Sequence, residues 1–194
     1  RRNHVNVKNV KVLTLDEADE MLSTGFKDQV YNIFQYMPKD IQLCLYSATV
    51  PGEIAELSKK FMRDPVKILV KSEMLTLEGI SQFHINMEDD QGKYLTLKDL
   101  YESLSVSQCI IYCNSVKRVQ DLHNALLEDG FPVTAIHSSM DKQARTESYK
   151  DFKSGKSRVL VSSNVTARGI DIQQVSIVIN FDVPKCVHTY LHRI

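Results

Sequence analysis

The sequence predicts an α/β protein built from parallel sheets in two lobes. Apolar segments of strand length alternate with segments of helical periodicity, and this rhythm occurs twice along the 194 residues. Residues 71–79 show no strong periodicity and are predicted to link a lobe at 1–70 to a second lobe at 80–194. Polar residues directly follow two of the apolar segments in the first lobe, as expected where parallel strands end at a ligand-binding edge.

In the first lobe, three short apolar runs are predicted to be strands, and two segments between them are predicted to be helices. The strands are expected at 10–15, 42–46 and 66–70, and the helices at 28–37 and 52–62. Runs of four or five apolar or β-branched residues are typical of inner strands of a parallel sheet. The predicted order is therefore strand, helix, strand, helix, strand.

The second lobe repeats the pattern with five predicted strands, at 83–87, 108–112, 133–136, 158–161 and 177–180. A helix is predicted at 116–128, where Val119, Leu122 and Leu126 form a one-sided apolar stripe that would face a sheet. Another helix is predicted at 142–153. Glycine is expected to stop both helices, at Gly130 and Gly155.

The composition is that of a globular protein and excludes several classes. Apolar residues make up 43% and charged residues 25%, while 24 acidic and 24 basic residues cancel, which excludes a general polycation that holds nucleic acid by bulk charge. No apolar run approaches the roughly 18 residues needed to span a bilayer, and no signal peptide is visible. The cysteines lack paired C-x-x-C spacing, which favours reduced thiols in a cytosolic or nuclear protein. These cysteines are Cys44, Cys109, Cys113 and Cys186.

Two adjacent carboxylates, Asp16 and Glu17, follow the apolar run at 12–15. At the end of a buried strand, such a pair can hold Mg²⁺ beside an attacking water in a phosphate-handling enzyme. The alternative is an acidic first turn of a helix, which the helix dipole also favours. The sequence alone leaves both interpretations open.

A second polar segment, Ser47 to Thr49, follows the predicted strand at 42–46. Neighbouring strand ends converge in a parallel sheet, so these hydroxyl groups are expected to reach the carboxylates after the first strand. The alternative is that they cap a helix that begins near Pro51.

Together, the segments 16–19 and 47–49 resemble the second and third motifs of DEAD-box RNA helicases. Residues 167–182 resemble the fifth motif and the strand after it, and 192–194 resemble the opening of the sixth. The resemblance covers essentially the whole chain and is closest to the branch that contains translation initiation factor four-A, through the stretches 16–21, 25–28 and 61–65. It implies two RecA-like lobes of the P-loop NTPase type.

The resemblance assigns roles in the first lobe. It implies that Asp16 and Glu17 are catalytic, that both hold Mg²⁺ through water, and that Glu17 orients the attacking water. It implies that Asp19 bonds to Ser47 and Thr49, which would couple closure of the lobes to the state of bound ATP.

The resemblance also assigns roles in the second lobe. Gly169 and Asp171 would contact ATP, Asp171 through its ribose, while His192 and Arg193 would meet the first lobe across the cleft. The implied RNA contacts are Asn114, Lys117, Arg145 and Ser163. Taken without the resemblance, the basic bias of 141–158 is more typical of a solvated helix face.

Several positions depart from the family pattern. Ser138 and Ser139 stand where relatives often have Gly and Asp, and a serine makes close approach of an RNA phosphate to the backbone less favourable. Ser163 and Asn164 replace a more usual Thr and Asp. Ser163 keeps a hydroxyl group, whereas Asn164 loses a negative charge.

The family's upstream phosphate loop, G-x-x-x-x-G-K-[ST], does not occur in these residues. The one Gly-Lys-Ser, at 155–157, follows a predicted helix and precedes a strand, which is the reverse of the required order. The chain begins inside the first lobe and stops inside the sixth motif, so we expect a first lobe truncated at its N-terminus, a nearly complete second lobe, and no ATP hydrolysis by this chain alone. Proteolysis is expected to degrade the first lobe and spare the second.

For the intact protein we expect RNA-stimulated ATP hydrolysis with Mg²⁺ and local unwinding of RNA duplexes, by a cytoplasmic or nuclear monomer. Single-stranded or locally duplex RNA and protein partners of translation initiation are the expected partners, without a membrane. Two alternatives stay open. One is a non-catalytic RNA- or protein-binding module made of helicase lobes. The other is a metal hydrolase using His188 and His192, although the zinc motif H-E-x-x-H needs Glu where Thr189 stands.

Overall fold

The computed structural model describes residues 6–22, 25–50, 52–70, 79–104, 107–169 and 172–194. The chain divides into two compact units, unit 1 (Arg1–Ser72) and unit 2 (Glu73–Ile194). Both units combine helices with a parallel sheet, which confirms the predicted α/β class. In the described part of the chain, no helix has the length and apolar character required to cross a membrane.

Unit 1 contains a two-stranded parallel sheet, β1 and β2, in which Val12 lies opposite Gln42. Its elements in chain order are β1 (Val12–Leu15), α1 (Ala18–Met21), α2 (Lys27–Phe34), β2 (Gln42–Leu45) and α3 (Gly52–Phe61). Its buried apolar cluster is small and consists of Ala18, Leu22 and Val30 among the described residues. The rings of Phe34 and Phe61 stack at 5.0 Å between centroids and join α2 to α3.

The strands predicted at 66–70 and 83–87 are wrong. Both segments lack regular structure, and the side chains of Val66, Ile68 and Phe83 are 91%, 92% and 91% exposed. Apolar composition predicts burial, but a strand also needs a neighbouring backbone to satisfy its N–H and C=O groups. Neither segment pairs with a strand in the described parts of the chain.

Unit 2 contains a four-stranded parallel sheet in the order β4-β5-β3-β6. Its elements are α4 (Asp90–Ser103), β3 (Gln108–Tyr112), α5 (Val116–Glu128), β4 (Val133–Ile136), α6 (Lys142–Lys153), β5 (Val159–Ser162), a 3-10 turn (Asn164–Thr166), β6 (Val175–Asn180) and α7 (Val187–Arg193). The strand β3 lies between β5 and β6, and all five of its residues are buried. This explains its continuous apolar sequence.

The two faces of β3 anchor two separate cores. Cys109 and Ile111 pack into one cluster with Val119, Leu122 and Leu126 of α5, as the predicted stripe requires. The alternate residues of β3 pack into a second cluster on the opposite face, together with Ile136, Phe152 and Leu160. The alternation follows from the two-residue period of a strand.

Local capping sets the bounds of the helices in unit 2. Ser115 and Asp141 cap α5 and α6 by accepting hydrogen bonds from Arg118 N–H (3.3 Å) and Ala144 N–H (2.8 Å). Gly130 and Gly155 follow these helices with φ of 80° and 78°, conformations that glycine adopts without strain. The predicted helix stops at both glycines are therefore confirmed.

The helix α4 is an element that the sequence reasoning did not predict. Its N-cap, Asp89, accepts a 2.6 Å hydrogen bond from Gly92 N–H. Tyr94, Leu97 and Tyr101 pack on or within the core cluster around α5. Their spacing of three and four residues was the available signal for a helix.

Candidate functional site

The acidic segment of unit 1 lies directly at the carboxyl end of β1. Glu17 has a left-handed conformation, with φ of 51° and ψ of 45°, and is the N-cap of the short helix α1. The exposed Asp16 carboxylate accepts a hydrogen bond from Glu17 N–H at 2.9 Å. The chain thus turns from strand to helix within two residues, so the segment both ends a strand and begins a helix.

A buried hydrogen bond joins the acidic segment to the hydroxyl segment after β2. Thr49 Oγ1 donates to Asp19 Oδ2 at 2.7 Å, and both side chains are buried. Ser47 Oγ accepts from Asp19 N–H at 3.3 Å and donates to the Thr49 carbonyl at 2.6 Å. The structure therefore contains the contacts expected between Asp19 and both hydroxyl residues, although Ser47 uses the backbone of Asp19 and not its carboxylate. Coupling through these contacts stays a prediction.

The backbone holds these two segments side by side. Tyr46 N–H donates to the Leu15 carbonyl at 2.8 Å, and Ala18 N–H donates to the Tyr46 carbonyl at 3.0 Å. These bonds continue the ladder of the parallel pair past the ends of β1 and β2. A solvent-borne cation can reach Asp16, which is exposed, and Glu17, which is partly exposed. Two carboxylates offer the hard oxygen donors that Mg²⁺ prefers.

In unit 2, Arg193 is a buried hub between three strand ends. Its side chain is 2% exposed, and its guanidinium lies 5.0 Å from the centroid of the Tyr112 ring. It donates to four acceptors, which are Asn164 Oδ1 (3.0 and 2.5 Å), Asn180 Oδ1 (3.0 Å), the Asp182 carbonyl (3.0 Å) and Asn114 Oδ1 (2.9 Å). All five N–H donors of an arginine therefore have neutral acceptors within unit 2.

These hydrogen bonds give Arg193 a structural role within unit 2. The resemblance implies contact with the first lobe, whereas these hydrogen bonds hold the guanidinium inside unit 2 and tie together the ends of β3, β5 and β6. Burial lowers the pKa of its guanidinium from the ordinary value, because a charge inside protein loses its hydration. The expected contact of Arg193 with the first lobe stays a prediction.

A second charged network anchors the same edge of the sheet. Arg118 donates to Asp182 Oδ2 through Nε (2.7 Å) and to both carboxylate oxygens of Asp90 (2.7 and 2.9 Å). These hydrogen bonds raise the pKa of Arg118, and the Arg118 bonds lower the pKa of Asp90 to about 2. Asp182 also accepts from Asn114 N–H at 2.9 Å, so the network fixes the backbone where β3 ends.

The four expected RNA-contacting residues lie toward the carboxyl edge of this sheet. Asn114 and Ser163 follow the neighbouring strands β3 and β5, and Asn114 donates to the Val183 carbonyl at 2.8 Å. The side chains of Lys117, in the first turn of α5, and Asn114 are exposed. Arg145 occupies the first turn of α6, and its buried Nε has no hydrogen-bond partner among the described residues.

The remaining expected site residues are less informative. Gly169 is exposed with φ of 67°, whereas Asp171 lies outside the described residues. His192 lies in α7 and is partly buried, while His188 is exposed. The hydroxyl of Thr189 lies 3.1 Å from Cys186 Sγ, and no carboxylate stands at that position to complete the H-E-x-x-H pattern.

Sequence reasoning missed Arg118, Asp182 and Asn180 as members of the site, and treated Asn164 only as a departure from a pattern. Arg118 is separated from Asp90 by 28 residues and from Asp182 by 64. Such distances in sequence leave no local signal. The one available hint was the series of polar residues that directly follow β3, β5 and β6.

Two known protein families match this chain, one within unit 1 and one within unit 2. The family described as "Helicase conserved C-terminal domain" matches residues 92–194, and the family described as "DEAD/DEAH box helicase" matches residues 1–57.

Similar proteins are found at the level of sequence and of structure. "ATP-dependent RNA helicase eIF4A" of Kluyveromyces lactis is 53% identical over 96% of this chain and 47% of its own length. "Eukaryotic initiation factor 4A" of Caenorhabditis elegans is 48% identical over 100% of this chain and 48% of its own length. The structure of Saccharomyces cerevisiae Dbp5 bound to RNA and ADP BeF3 has a TM-score of 0.90 at 32% identity and covers 97% of this chain and 50% of that one. The chain thus spans about half the length of the curated relatives that it matches.

Proposed function

The chain belongs to the DEAD/DEAH box helicase family, and we propose that the whole protein is an ATP-dependent RNA helicase that opens short RNA duplexes locally. The observation that carries this proposal is the buried 2.7 Å hydrogen bond from Thr49 to Asp19. It joins the acidic segment after β1 to the hydroxyl segment after β2, as nucleotide-dependent coupling requires. The relatives named as ATP-dependent RNA helicases support the same activity.

In this proposal, Asp16 and Glu17 serve ATP hydrolysis. Both carboxylates lie at the carboxyl end of β1, and the exposed Asp16 and partly exposed Glu17 would hold Mg²⁺ through water. When bound, the ion supplies neutralisation of phosphate charge. Glu17 would also orient the attacking water, the role that the resemblance implies for it, since phosphoryl transfer depends mainly on positioning and charge neutralisation. Gly169 and Asp171 contribute to the ATP site from the second lobe.

RNA binding is proposed for the carboxyl edge of the sheet in unit 2. Lys117 and Arg145 supply positive charge from the first turns of α5 and α6, and Asn114 and Ser163 supply polar groups after β3 and β5. Contacts of these types bind the phosphate backbone without reading the sequence. Single-stranded or locally duplex RNA is the proposed ligand, as for Dbp5, whose structure contains RNA.

We propose that the two lobes move relative to each other during the reaction. The first lobe comprises about residues 1–70, the linker 71–79 and the second lobe 80–194. Binding of ATP and RNA closes the lobes, and Asp19, Ser47, Thr49, His192 and Arg193 transmit that closure. Arg193 does so indirectly, by holding Asn114 and Asn164.

The 194 residues contain no G-x-x-x-x-G-K-[ST] sequence, and we propose that they do not hydrolyse ATP by themselves. The whole protein would act as a monomer in translation initiation, with protein partners of that process, in the cytoplasm. The similarity to proteins named initiation factor 4A supports this assignment.

The test measures ATP hydrolysis by the full-length protein with and without single-stranded RNA. We expect RNA to stimulate turnover and Glu17→Gln to reduce the stimulated rate by about 10²–10⁴-fold, the range for loss of a positioned acid-base group. The matched control is Glu20→Gln, which neutralises an exposed acid in α1 and should leave the rate unchanged. RNA-stimulated turnover that survives Glu17→Gln would remove Glu17 from its role, and absence of any ATP hydrolysis would favour a non-catalytic binding module.

A further inference from the structure

The loop that follows β3 carries Asn114, a proposed RNA contact, and three hydrogen bonds fix this residue. Asn114 N–H donates to Asp182 Oδ2 at 2.9 Å. Its Oδ1 accepts from Arg193 Nη2 at 2.9 Å, and its Nδ2 donates to the Val183 carbonyl at 2.8 Å. Because an arginine only donates and a carbonyl only accepts, these partners also fix the orientation of the side-chain amide. The second N–H bond of Nδ2 can then donate to a phosphate oxygen.

We propose that Arg118 and Asp182 are positioning residues for RNA binding, in which Arg118 holds the Asp182 carboxylate and Asp182 holds the backbone of Asn114. RNA then meets a loop that already has its binding conformation, and the protein loses less conformational entropy on binding. The inference rests on the proposed function, since it assumes that Asn114 and Lys117 contact RNA. It adds two residues that act through Asn114 without touching RNA themselves.

Asp182 binds the end of β3 through both its backbone and its side chain. Its N–H donates to the Tyr112 carbonyl at 3.3 Å, and its carboxylate accepts from Asn114 N–H. The Asp182 side chain is 9% exposed. The backbone bond continues the ladder between β3 and β6, and the carboxylate takes the next N–H along β3. A displaced Asp182 carboxylate therefore releases the backbone of Asn114.

Arg118 holds Asp182 with a two-pronged contact. Its Nε donates to Oδ2 at 2.7 Å, and its Nη2 lies 2.6 Å from Oδ1. Two parallel bonds from a planar guanidinium fix the plane of a carboxylate as well as its position. The guanidinium also lies 5.7 Å from the centroid of the Phe181 ring, which belongs to the same strand end as Asp182. Arg118 therefore determines where Asp182 presents its oxygen to Asn114.

The charge of Arg118 matters for RNA as well as its geometry. The Asp182 carboxylate is one hydrogen bond away from Asn114, and alone it would repel an RNA phosphate that approaches this residue. Arg118 offsets that negative charge, and Lys93 adds a weaker contribution, with Nζ 3.9 Å from Asp182 Oδ1. Loss of Arg118 therefore has two consequences, a loop that is less well held and a carboxylate that opposes RNA.

Arg118 is poorly suited to contact a phosphate directly. Its Nη1 and Nη2 donate to Asp90 at 2.7 and 2.9 Å. Together with the bonds to Asp182, four of its five N–H donors are used, and two carboxylates surround one positive charge. A direct phosphate contact releases a counterion and adds to the salt dependence of binding, whereas a positioning residue does not. Salt dependence therefore separates the two roles.

The experiment measures binding of a fluorescein-labelled oligouridine of about ten nucleotides to the full-length protein with ADP and beryllium fluoride. Fluorescence anisotropy gives Kd at several salt concentrations. Arg118→Gln should weaken binding about tenfold without changing the slope of log Kd against the logarithm of salt concentration. Lys117→Gln should weaken binding and also lower that slope by about 0.7, the value for one lost phosphate contact on a single strand.

Two further variants separate geometry from charge. Arg118→Lys should recover part of the affinity, because lysine still offsets the charge of Asp182 but lacks the planar fork. Lys98→Gln is the matched control, since it removes the same charge from the ion pair with Asp129 (2.6 Å) elsewhere in unit 2. It should change RNA affinity by less than about twofold.

NMR of the ¹⁵N-labelled 194-residue chain tests the positioning step without RNA. Arg118→Gln should shift the backbone and side-chain amide signals of Asn114. The backbone signals of Leu122 and Leu160, one in each core cluster of unit 2, should stay in place and show that the unit is folded.

The proposal is overturned if Arg118→Gln binds RNA as tightly as the unmodified protein, or if the Asn114 signals do not move. It is also overturned if Arg118→Gln lowers the salt slope as Lys117→Gln does, because Arg118 would then contact a phosphate directly. Absence of RNA binding by the unmodified protein would overturn the inference together with the proposed function. Loss of affinity in Arg118→Gln with none in Lys117→Gln would contradict only the proposed contact of Lys117 and would support the role of Arg118.

Discussion

Thr49 and Asp19 form a buried polar pair in a unit with little apolar core. The carboxylate of Asp19 and the hydroxyl of Thr49 are almost fully enclosed, at 9% and 2% exposure. A buried carboxylate that loses its hydrogen-bond donor keeps the cost of its desolvation. The pair therefore contributes to the stability of unit 1 as well as to any coupling function.

Thr49→Val should destabilise unit 1 by about 1–3 kcal/mol, because valine has nearly the same shape but removes the buried hydrogen bond that Thr49 donates to Asp19. The measurement is urea denaturation followed by NMR signals of unit 1. Thr14→Val, at an exposed position in β1, is the matched control and should change stability by less than about 0.5 kcal/mol. Equal effects of the two substitutions would show that the buried hydrogen bond contributes nothing.

Arg193 also makes buried hydrogen bonds that stabilise its unit, through a positively charged guanidinium in unit 2. Its planar fork reaches the ends of three strands, and each of its acceptors is neutral. Lysine has three donors on a point charge and cannot reproduce this geometry.

Arg193→Lys should therefore destabilise unit 2 by about 3 kcal/mol, within the range for disrupted buried charges. It should also shift the NMR signals of the Asn114 side-chain amide, because Arg193 donates to its oxygen. Chemical denaturation and NMR test the two effects together. Arg158→Lys, at an exposed arginine, provides the comparison, and a loss as small as in that variant would argue against the hub.

Asn164→Asp tests whether Arg193 lacks a counter-ion. Asn164 Oδ1 accepts from both Nε and Nη2 of Arg193, and a carboxylate would make charge-assisted bonds at the same place. We expect unit 2 to become more stable by about 1 kcal/mol. Asn32→Asp, on the exposed side of α2, controls for the added charge, and lower stability of Asn164→Asp alone would contradict this account.

Among the helices, local sequence sufficed where both ends carried a capping signal. The helices α5 and α6 have the bounds predicted for them, because Ser115 and Asp141 satisfy the first turn and Gly130 and Gly155 end the last one. The strands at 66–70 and 83–87 were wrong because pairing depends on a neighbour that local composition does not describe.

The end of β4 carries a buried histidine that makes stability depend on pH. His137 directly follows β4, is 8% exposed, and its Nδ1 lies 2.8 Å from Ser139 Oγ. Burial lowers the pKa of His137, and the charge of His123 adds to the effect. The unfolded chain therefore binds a proton at this side chain more readily than the folded one.

Unit 2 should accordingly lose stability as the pH falls below about 6.5, the ordinary pKa of histidine, and the loss should level off below the lowered pKa of the folded state. His137→Gln should flatten this part of the pH profile, whereas His84→Gln, at an exposed histidine, should not. Denaturation midpoints measured across this range make the comparison. A profile unchanged by His137→Gln would exclude His137 as its origin.

The two units differ in how much apolar surface they bury. Unit 2 has two clusters, one on each face of its central strand, whereas the cluster in unit 1 is small and its sheet has two strands in the described residues. The exposed side chains of Val66, Ile68 and Leu69 add apolar surface in unit 1. A larger buried area per residue gives unit 2 the greater stability.

Limited trypsin digestion should therefore degrade unit 1 first and leave a resistant product close to residues 79–194. A unit with a lower free energy of unfolding opens more often, so the trypsin sites of unit 1 are exposed for a larger fraction of the time. Mass spectrometry of a time course identifies the product, and digestion of the urea-denatured chain shows that sites in both units are cleavable. An intact resistant chain, or a surviving product from unit 1, would contradict the prediction.

The family resemblance singled out Asp19 as the partner of Ser47 and Thr49. Sequence patterns were sufficient to predict the α/β class, the bounds of α5 and α6, and the approach of the hydroxyl segment to the acidic segment after β1. Each of these depends on a few adjacent residues, or on the rule that parallel strands end at one edge. Only the tertiary structure revealed the partners of Arg193 and the network of Arg118. Those arrangements depend on which distant segments share a buried space, because desolvation and hydrogen bonding act between neighbours in the fold and not along the chain.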